Sequence, residues 1–193
     1  MSPLISEIET ARLRLRGYTP DELDHLSSIR ADSVVMRYIG TGLPQDEVQS
    51  GAWLEKHRVR WEQHDFGMWA VALKGDETLL GWCGLALLDD TPEVEVGYGF
   101  SKASWGKGIA TEAARASLRF SFEERNLDRI VAVAMPENTG SQRVMEKIGM
   151  KYVKRAHYYG ADVVYYAITR DEFRPTDARY ILRRPEVDGQ GGR

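Results

Sequence analysis

Trp105-Gly106-Lys107-Gly108-Ile109-Ala110-Thr111-Glu112-Ala113 is the stretch on which the interpretation of this chain turns. It follows an alternating segment, Glu93-Val94-Glu95-Val96-Gly97-Tyr98-Gly99-Phe100. It opens a run in which Ala110, Ala114, Leu118 and Phe122 recur every four residues, with Glu112, Arg115, Arg119 and Glu123 as the polar stripe. The first pattern is that of a strand and the second that of an amphipathic helix. A glycine-rich turn between them leaves the first N–H groups of the helix unpaired, in a region that the helix dipole makes favourable to anions. Glycines let the backbone approach such an anion with no Cβ in the way. The same residues also suit a plain tight turn with a small-residue cap.

Two familiar phosphate loops fail on named residues. A Walker loop requires glycine five positions before Gly106, where Ser101 stands, and Ser or Thr after its lysine, where Gly108 follows Lys107. The dinucleotide fingerprint requires Gly or Ala five positions after its first glycine. Counted from Gly97 that residue is Lys102, and from Gly106 it is Thr111.

Working outward, Arg12-Leu13-Arg14-Leu15-Arg16 alternates and reads as an edge or half-exposed strand. Pro20 and Asp21 open a helix carrying Leu23, Leu26 and Ile29, and residues 45–63 read as a longer helix with Val48, Ala52 and Val59 among its apolar positions. Strands are expected over 68–73, 79–88 and 93–100, the first two as a hairpin, and a buried one over 129–134. Ser141 to Ile148 reads as a short helix ending at Gly149. Residues 152–157 and 163–169 form a final hairpin around Gly160. Only the strand–helix–strand step near residues 94–134 is expected to be parallel. The fold class is mixed α/β of the α+β type: a mostly antiparallel twisted sheet with helices on both faces. One domain is expected over residues 1–185, with 186–193 a disordered polar tail.

Composition narrows the function. The chain has 193 residues and 42% hydrophobic residues, with 26 Lys plus Arg against 29 Asp plus Glu, a net charge of -3. It carries no basic excess of the kind that duplex binding requires. No apolar run approaches the roughly 18 residues of a membrane span, and Met1 to Thr10 lacks the apolar core of a secretory signal. The expectation is a cytoplasmic protein with no nucleic-acid or membrane partner. Cys83 is the single cysteine, which excludes an internal disulfide and a multi-cysteine metal site. The four histidines show no ligand spacing, so no metal is assigned.

Residues 105–113 spell Trp-Gly-x-Gly-x-Ala-Thr-Glu-Ala, which resembles the acyl-CoA loop of the GNAT superfamily of N-acyltransferases in its RimJ/RimL-type branch. Gly108 and Ala110 match the general pattern, while Trp105 stands where Arg or Gln is usual. Four further blocks are similar to the same branch: Glu9 to Arg16, Glu95 to Tyr98, Pro136 to Ser141 with Glu146 to Met150, and Tyr165 to Ile168. The likeness spans roughly residues 8–172 and implies the GNAT fold, acetyl-CoA as co-substrate and an amine as acceptor, either a protein N-terminal α-amine or a small molecule. It implies that the backbone of Gly106, Lys107, Gly108, Ile109, Ala110 and Thr111, flanked by Trp105, binds the pyrophosphate. It also implies that the strand holding Val96, Gly97 and Tyr98 splays from residues 129–134 to admit the pantetheine arm, which Asn138 and Ser141 contact.

Acyl transfer to an amine needs a proton acceptor and a partner for the leaving thiolate. Glu95 shares a strand face with Gly97 and Gly99 and is the first choice as base, Glu93 the second. Ser141 is the candidate donor to the thiolate; many members of the superfamily that the chain resembles use a tyrosine for this, and Tyr158 and Tyr159 lie nearby in sequence without aligning to that position. Each also has a plain structural role: Glu95 on a solvated strand face, Asn138 and Ser141 as helix caps, Gly97 and Gly99 packed beneath an aromatic ring. Arg143 and Lys147 suit either phosphates or a solvated helix face, and Trp53, Trp61, Trp69 and Trp82 either an acceptor pocket or the core. Two functions follow: an N-acetyltransferase working by direct attack in a ternary complex, with a homodimer possible, or a CoA-binding sensor or scaffold without turnover.

Overall fold

The computed structural model describes residues 5–89, 91–176 and 178–184, so the expected tail at 186–193 lies outside the described residues. Nine strands form one sheet in the order β7-β8-β6-β5-β4-β3-β2-β1-β9. In chain order these are β1 (Glu7–Glu9), β2 (Leu13–Arg16), β3 (Met68–Leu73), β4 (Leu79–Leu87), β5 (Val94–Phe100), β6 (Arg129–Ala134), β7 (Lys151–Tyr158), β8 (Ala161–Thr169) and β9 (Ile181–Arg183). The helices are α1 (Leu23–Arg30), α2 (Ser33–Met36), α3 (Glu47–His64), α4 (Ile109–Glu123) and α5 (Thr139–Lys147). Every neighbouring pair is antiparallel except β5 with β6.

Two apolar clusters flank the sheet. On one face Ala113, Ala114 and Leu118 of α4 and Met145 of α5 pack with Val71, Cys83, Leu85 and Val96. On the other, Leu26 and Ile29 of α1 and Val35 and Met36 of α2 pack with Met68, Ala70 and Trp82. This is the expected three-layer arrangement, and the alternation along β5 divides it. Val96 and Phe100 belong to the α4 side, while Gly97 and Gly99 lie beneath Met68 and Trp82.

Several details differ from the sequence expectation. β2 is not an edge but lies between β1 and β3, and Arg16 is buried because it pairs with Glu22 at 2.8 Å. β1, β9 and α2, of three, three and four residues, are too short for a periodic signal. Val48 in α3 is 81% exposed, and the buried positions of that helix are Ser50, His57 and Trp61. α5 starts at Thr139, two residues before the expected start, because Asn138 rather than Ser141 is its cap.

Candidate active site

The sheet opens between β5 and β6. β4 and β5 share seven register pairs, whereas β5 and β6 share one, Glu95 with Val131. Beyond that rung the two strands diverge, and the edge of β5 from Val96 onward has no strand partner. Main-chain groups in such a position need a ligand or water. A cavity of about 960 Å³ passes through the opening. It is lined from one face by Ile109, Ala110 and Met145 and from the other by Met68, Trp82 and Trp53.

At one mouth stands the start of α4. Its N-cap is Gly108, in the left-handed region at φ +74°, and no side chain caps the helix. The first helical bond runs from the N–H of Glu112 to the carbonyl of Gly108, so the N–H groups before it have no helical acceptor. Gly106, at φ +73°, has open space where a Cβ would stand. Arg12 braces this loop: its Nη1 donates to the carbonyl of Lys107 at 2.8 Å and its Nε to Glu112 at 2.7 Å. Glu112 also accepts from Thr10 and from the N–H of Arg12, which draws its carboxylate toward the start of β2. Uncapped amides, glycine at the cap and a positive dipole end together suit a diphosphate.

Glu95 stands inside the opening. Burial pushes its carboxyl up to about 7, against the pull of a hydrogen bond from Tyr159 and the charge of Arg60. Tyr159 and Gly160 form the two-residue turn of the β7–β8 hairpin, at φ +54° and +72°, as a primed turn demands. That turn swings the Tyr159 ring back over β4. Its hydroxyl accepts from the N–H of Asp89 at 2.9 Å and donates to Glu95, while its own N–H donates to Asp89 Oδ2 at 2.9 Å. Glu95 is therefore held by a clasp of two loops. Glu93, the second choice, is occupied elsewhere: it accepts from Arg129 and from the Tyr165 hydroxyl, both at 2.6 Å.

On the α5 side, Asn138 Oδ1 accepts from the N–H of Ser141 at 3.1 Å, so its capping role is real. Ser141 is the third residue of the helix rather than its cap. The hydroxyls of Tyr98 and Ser141 are 2.9 Å apart, and burial raises the Tyr98 phenol. With Tyr98 donating to the serine, the serine proton is free to point into the cavity.

Of the expected site residues, Glu95, Val96, Gly97, Tyr98, Trp105, Gly106, Gly108, Ile109, Ala110, Thr111, Asn138 and Ser141 all line the cavity. Lys107 does not; its side chain is exposed and only its carbonyl has a defined task, toward Arg12. Trp105 is half exposed and anchors through its ring N–H on the Phe100 carbonyl at 2.8 Å. Gly99 answers both sequence alternatives at once. It lines the cavity, and a Cβ there would stand 2.2 Å from Trp82. Of the tryptophans, Trp61 and Trp69 are core, while Trp53 and Trp82 also line the cavity. Cys83 is buried, its thiol pushed up to about 12, and acts as a small core residue. Arg12 and Arg30 escaped the sequence reading, and Tyr159, noted there only as a tyrosine near the thiolate-donor position, was not linked to Glu95. Of the two arginines only Arg12 left a signal, lying in one of the quoted blocks.

Among the described residues no group of three or more His, Cys, Asp or Glu is placed to hold a metal ion, and no helix is long and apolar enough to cross a membrane.

Residues 12–151 match the model of the acetyltransferase (GNAT) domain family. The uncharacterized N-acetyltransferase YnaD of Bacillus subtilis is 33% identical over 86% of this chain and 98% of its own length. A GNAT-family acetyltransferase of known structure from Bacillus anthracis is 31% identical, covering 86% of this chain and 99% of its own, at a TM-score of 0.75. RimJ of Mycobacterium smegmatis, solved with a CoA disulfide, superposes at 0.74 over 89% of this chain and 91% of its own, with 21% identity, and shares the fold. An open sheet, an uncapped helix start and a family match over most of the length agree, and the chain belongs to the GNAT family as an acetyl-CoA-dependent N-acetyltransferase.

Proposed function

We propose that this chain acetylates a primary amine by direct attack in the opening between β5 and β6, with Glu95 as the general base. The observation that carries this is a carboxyl raised to about 7 at the one rung joining the two strands. Acetyl-CoA, when bound, supplies the activated acetyl carbon. Backbone amides of residues 106–111 hold its diphosphate, with Arg12 keeping their loop in shape. The free edge of β5 and Asn138 receive the pantetheine arm.

Glu95 takes the proton of the incoming ammonium. As the N–C bond forms and the C–S bond breaks, the Ser141 hydroxyl, backed by Tyr98, gives its proton to the departing sulfur and takes up the second proton that the attacking nitrogen loses, so the products are the amide and the free thiol of CoA. A carboxyl near 7 is matched to this task because it is largely ionised just above neutrality yet still basic enough to accept a proton. The RimJ/RimL likeness keeps a protein N-terminus among the acceptors considered, beside small amines. One domain over residues 1–185 and a possible homodimer complete the proposal.

The test is thiol release from acetyl-CoA with a panel of amines and peptides. Turnover with at least one acceptor is expected. Stabilisation by acetyl-CoA with no turnover across the panel replaces the enzyme with a CoA-binding module.

Tyr159→Phe removes a hydrogen bond that favours the charged form of Glu95, so the carboxyl moves above 7. Turnover at pH 7 is expected to fall about 3- to 10-fold and to recover at high pH, with the acidic limb of the pH–rate profile displaced upward. An unmoved limb refutes the clasp.

A further inference from the structure

The far end of the cavity, opposite the α4 mouth, holds a cation with no counter-ion among the described residues. Arg30 closes α1 and is 2% exposed, yet lines the cavity. Its guanidinium stands 4.5 Å from the centre of the Trp53 ring and 5.3 Å from that of Trp82. One nitrogen, Nη2, donates to Gln45 Oε1, and Nε and Nη1 have no hydrogen-bond partner. Among the described residues, none of Arg30, Lys56 and Arg60 enters an ion pair. Glu22, on the neighbouring turn, is held by Arg16 at 2.8 Å.

A buried guanidinium with unspent donors carries an uncompensated desolvation cost. Two indole faces offset part of it, and a ligand anion would supply the rest. The wall as a whole supports this. Among the described residues, Arg30, Lys56, Arg60, Arg143 and Lys147 line the cavity against only Glu95 and Glu137, in a chain whose net charge is -3. Buried His57 adds no negative charge; its imidazole is pushed down to about 3 by burial and by Arg60, Lys56 and Arg30, and stays neutral. A polycationic amine would meet repulsion here. A molecule that is cationic at one end and anionic at the other fits: its ammonium beside Glu95, its anion beside Arg30, its carbon frame along Trp53, Trp82 and Met68.

We propose that Arg30 recognises a carboxylate on the acceptor, so that the substrate class is a small amine bearing a carboxylate, an amino acid or a close analogue. One buried guanidinium balances the single charge of a carboxylate and leaves the pair neutral. The proposal rests on the acetyl-transfer reading above and adds the acceptor's second functional group.

The experiment compares kcat/KM for a panel of amino acids, each paired with the amine it yields on decarboxylation. The members of a pair differ by the carboxylate, which also makes the amino acid's amine the less basic, so kcat/KM is expressed per unprotonated amine. The wild-type protein is expected to prefer at least one amino acid over its partner amine by about 10- to 100-fold, the worth of hydrogen bonds to a charged group. Arg30→Gln should bring that ratio near one, with the change mainly in KM. Arg30→Lys, the fallback if Arg30→Gln does not fold, keeps the charge and should give an intermediate ratio. Thiol release with no preference in any wild-type pair, or a ratio unmoved by the Arg30 variants, overturns the assignment and leaves acetyl transfer standing. Better turnover of peptides with an acidic second residue than of any amino acid overturns it in favour of a protein acceptor. No thiol release with any amine or peptide overturns the acetyl-transfer reading itself.

Discussion

Glu95→Gln is expected to lower kcat by about 100-fold or more while leaving the affinity for CoA nearly unchanged. The amide keeps the shape and an acceptor for Tyr159 but has no basicity. In the wild-type protein kcat/KM should rise as pH passes through about 7, as the carboxyl ionises, and this limb should vanish in the variant. The thermal stability should change in the matching sense. A carboxyl whose folded pKa is raised contributes stability that is full below its unfolded pKa, near 4.5, and is lost as pH rises through about 7. Replacing it by a neutral amide should therefore raise Tm more at pH 8 than at pH 5, measured by calorimetry. Turnover within a few-fold of wild type removes Glu95 as the base.

Gly108→Glu should weaken CoA binding by about 100-fold or more, measured by titration calorimetry. Three effects act together. The residue sits at φ +74°, where an L side chain costs about 1–2 kcal/mol. The new carboxylate places negative charge at the amides meant for a diphosphate. Its Cβ would also stand 3.4 Å from Arg12 Nη2, so it would compete with Glu112 and the Lys107 carbonyl for the brace that shapes the loop. Gly106→Ala is the control. It adds strain at φ +73° with open space around the methyl, and should cost far less affinity. A dissociation constant for Gly108→Glu within about threefold of wild type would place the diphosphate elsewhere.

What the sequence made legible follows from how far each signal reaches along the chain. α4, β5 and the last hairpin announce themselves because period and turn chemistry are local. So does the glycine-rich turn before α4, where Gly106 and Gly108 both have positive φ. Glu95 was separated from Glu93 only by its nearness to the glycines; in the fold Glu93 is engaged by Arg129 and Tyr165. The short strands β1 and β9 left no periodic trace. The pairing of Tyr159 with Glu95, and the placement of Arg30, were invisible for a different reason. A tyrosine in a hairpin turn and an arginine ending a helix are ordinary in sequence. Their neighbours, Glu95 64 residues away and the Trp53 and Trp82 rings, are assembled only by folding.

The single rung between β5 and β6 has a mechanical meaning. Two strands that part from one point form a wedge, and a wedge yields most at its mouth and least at its apex. Glu95 sits at the apex, clasped by Asp89 and Tyr159. Breathing of the two half-sheets would widen the entrance for a bulky ligand while scarcely displacing Glu95, so large molecules could enter and leave around a carboxyl that hardly moves.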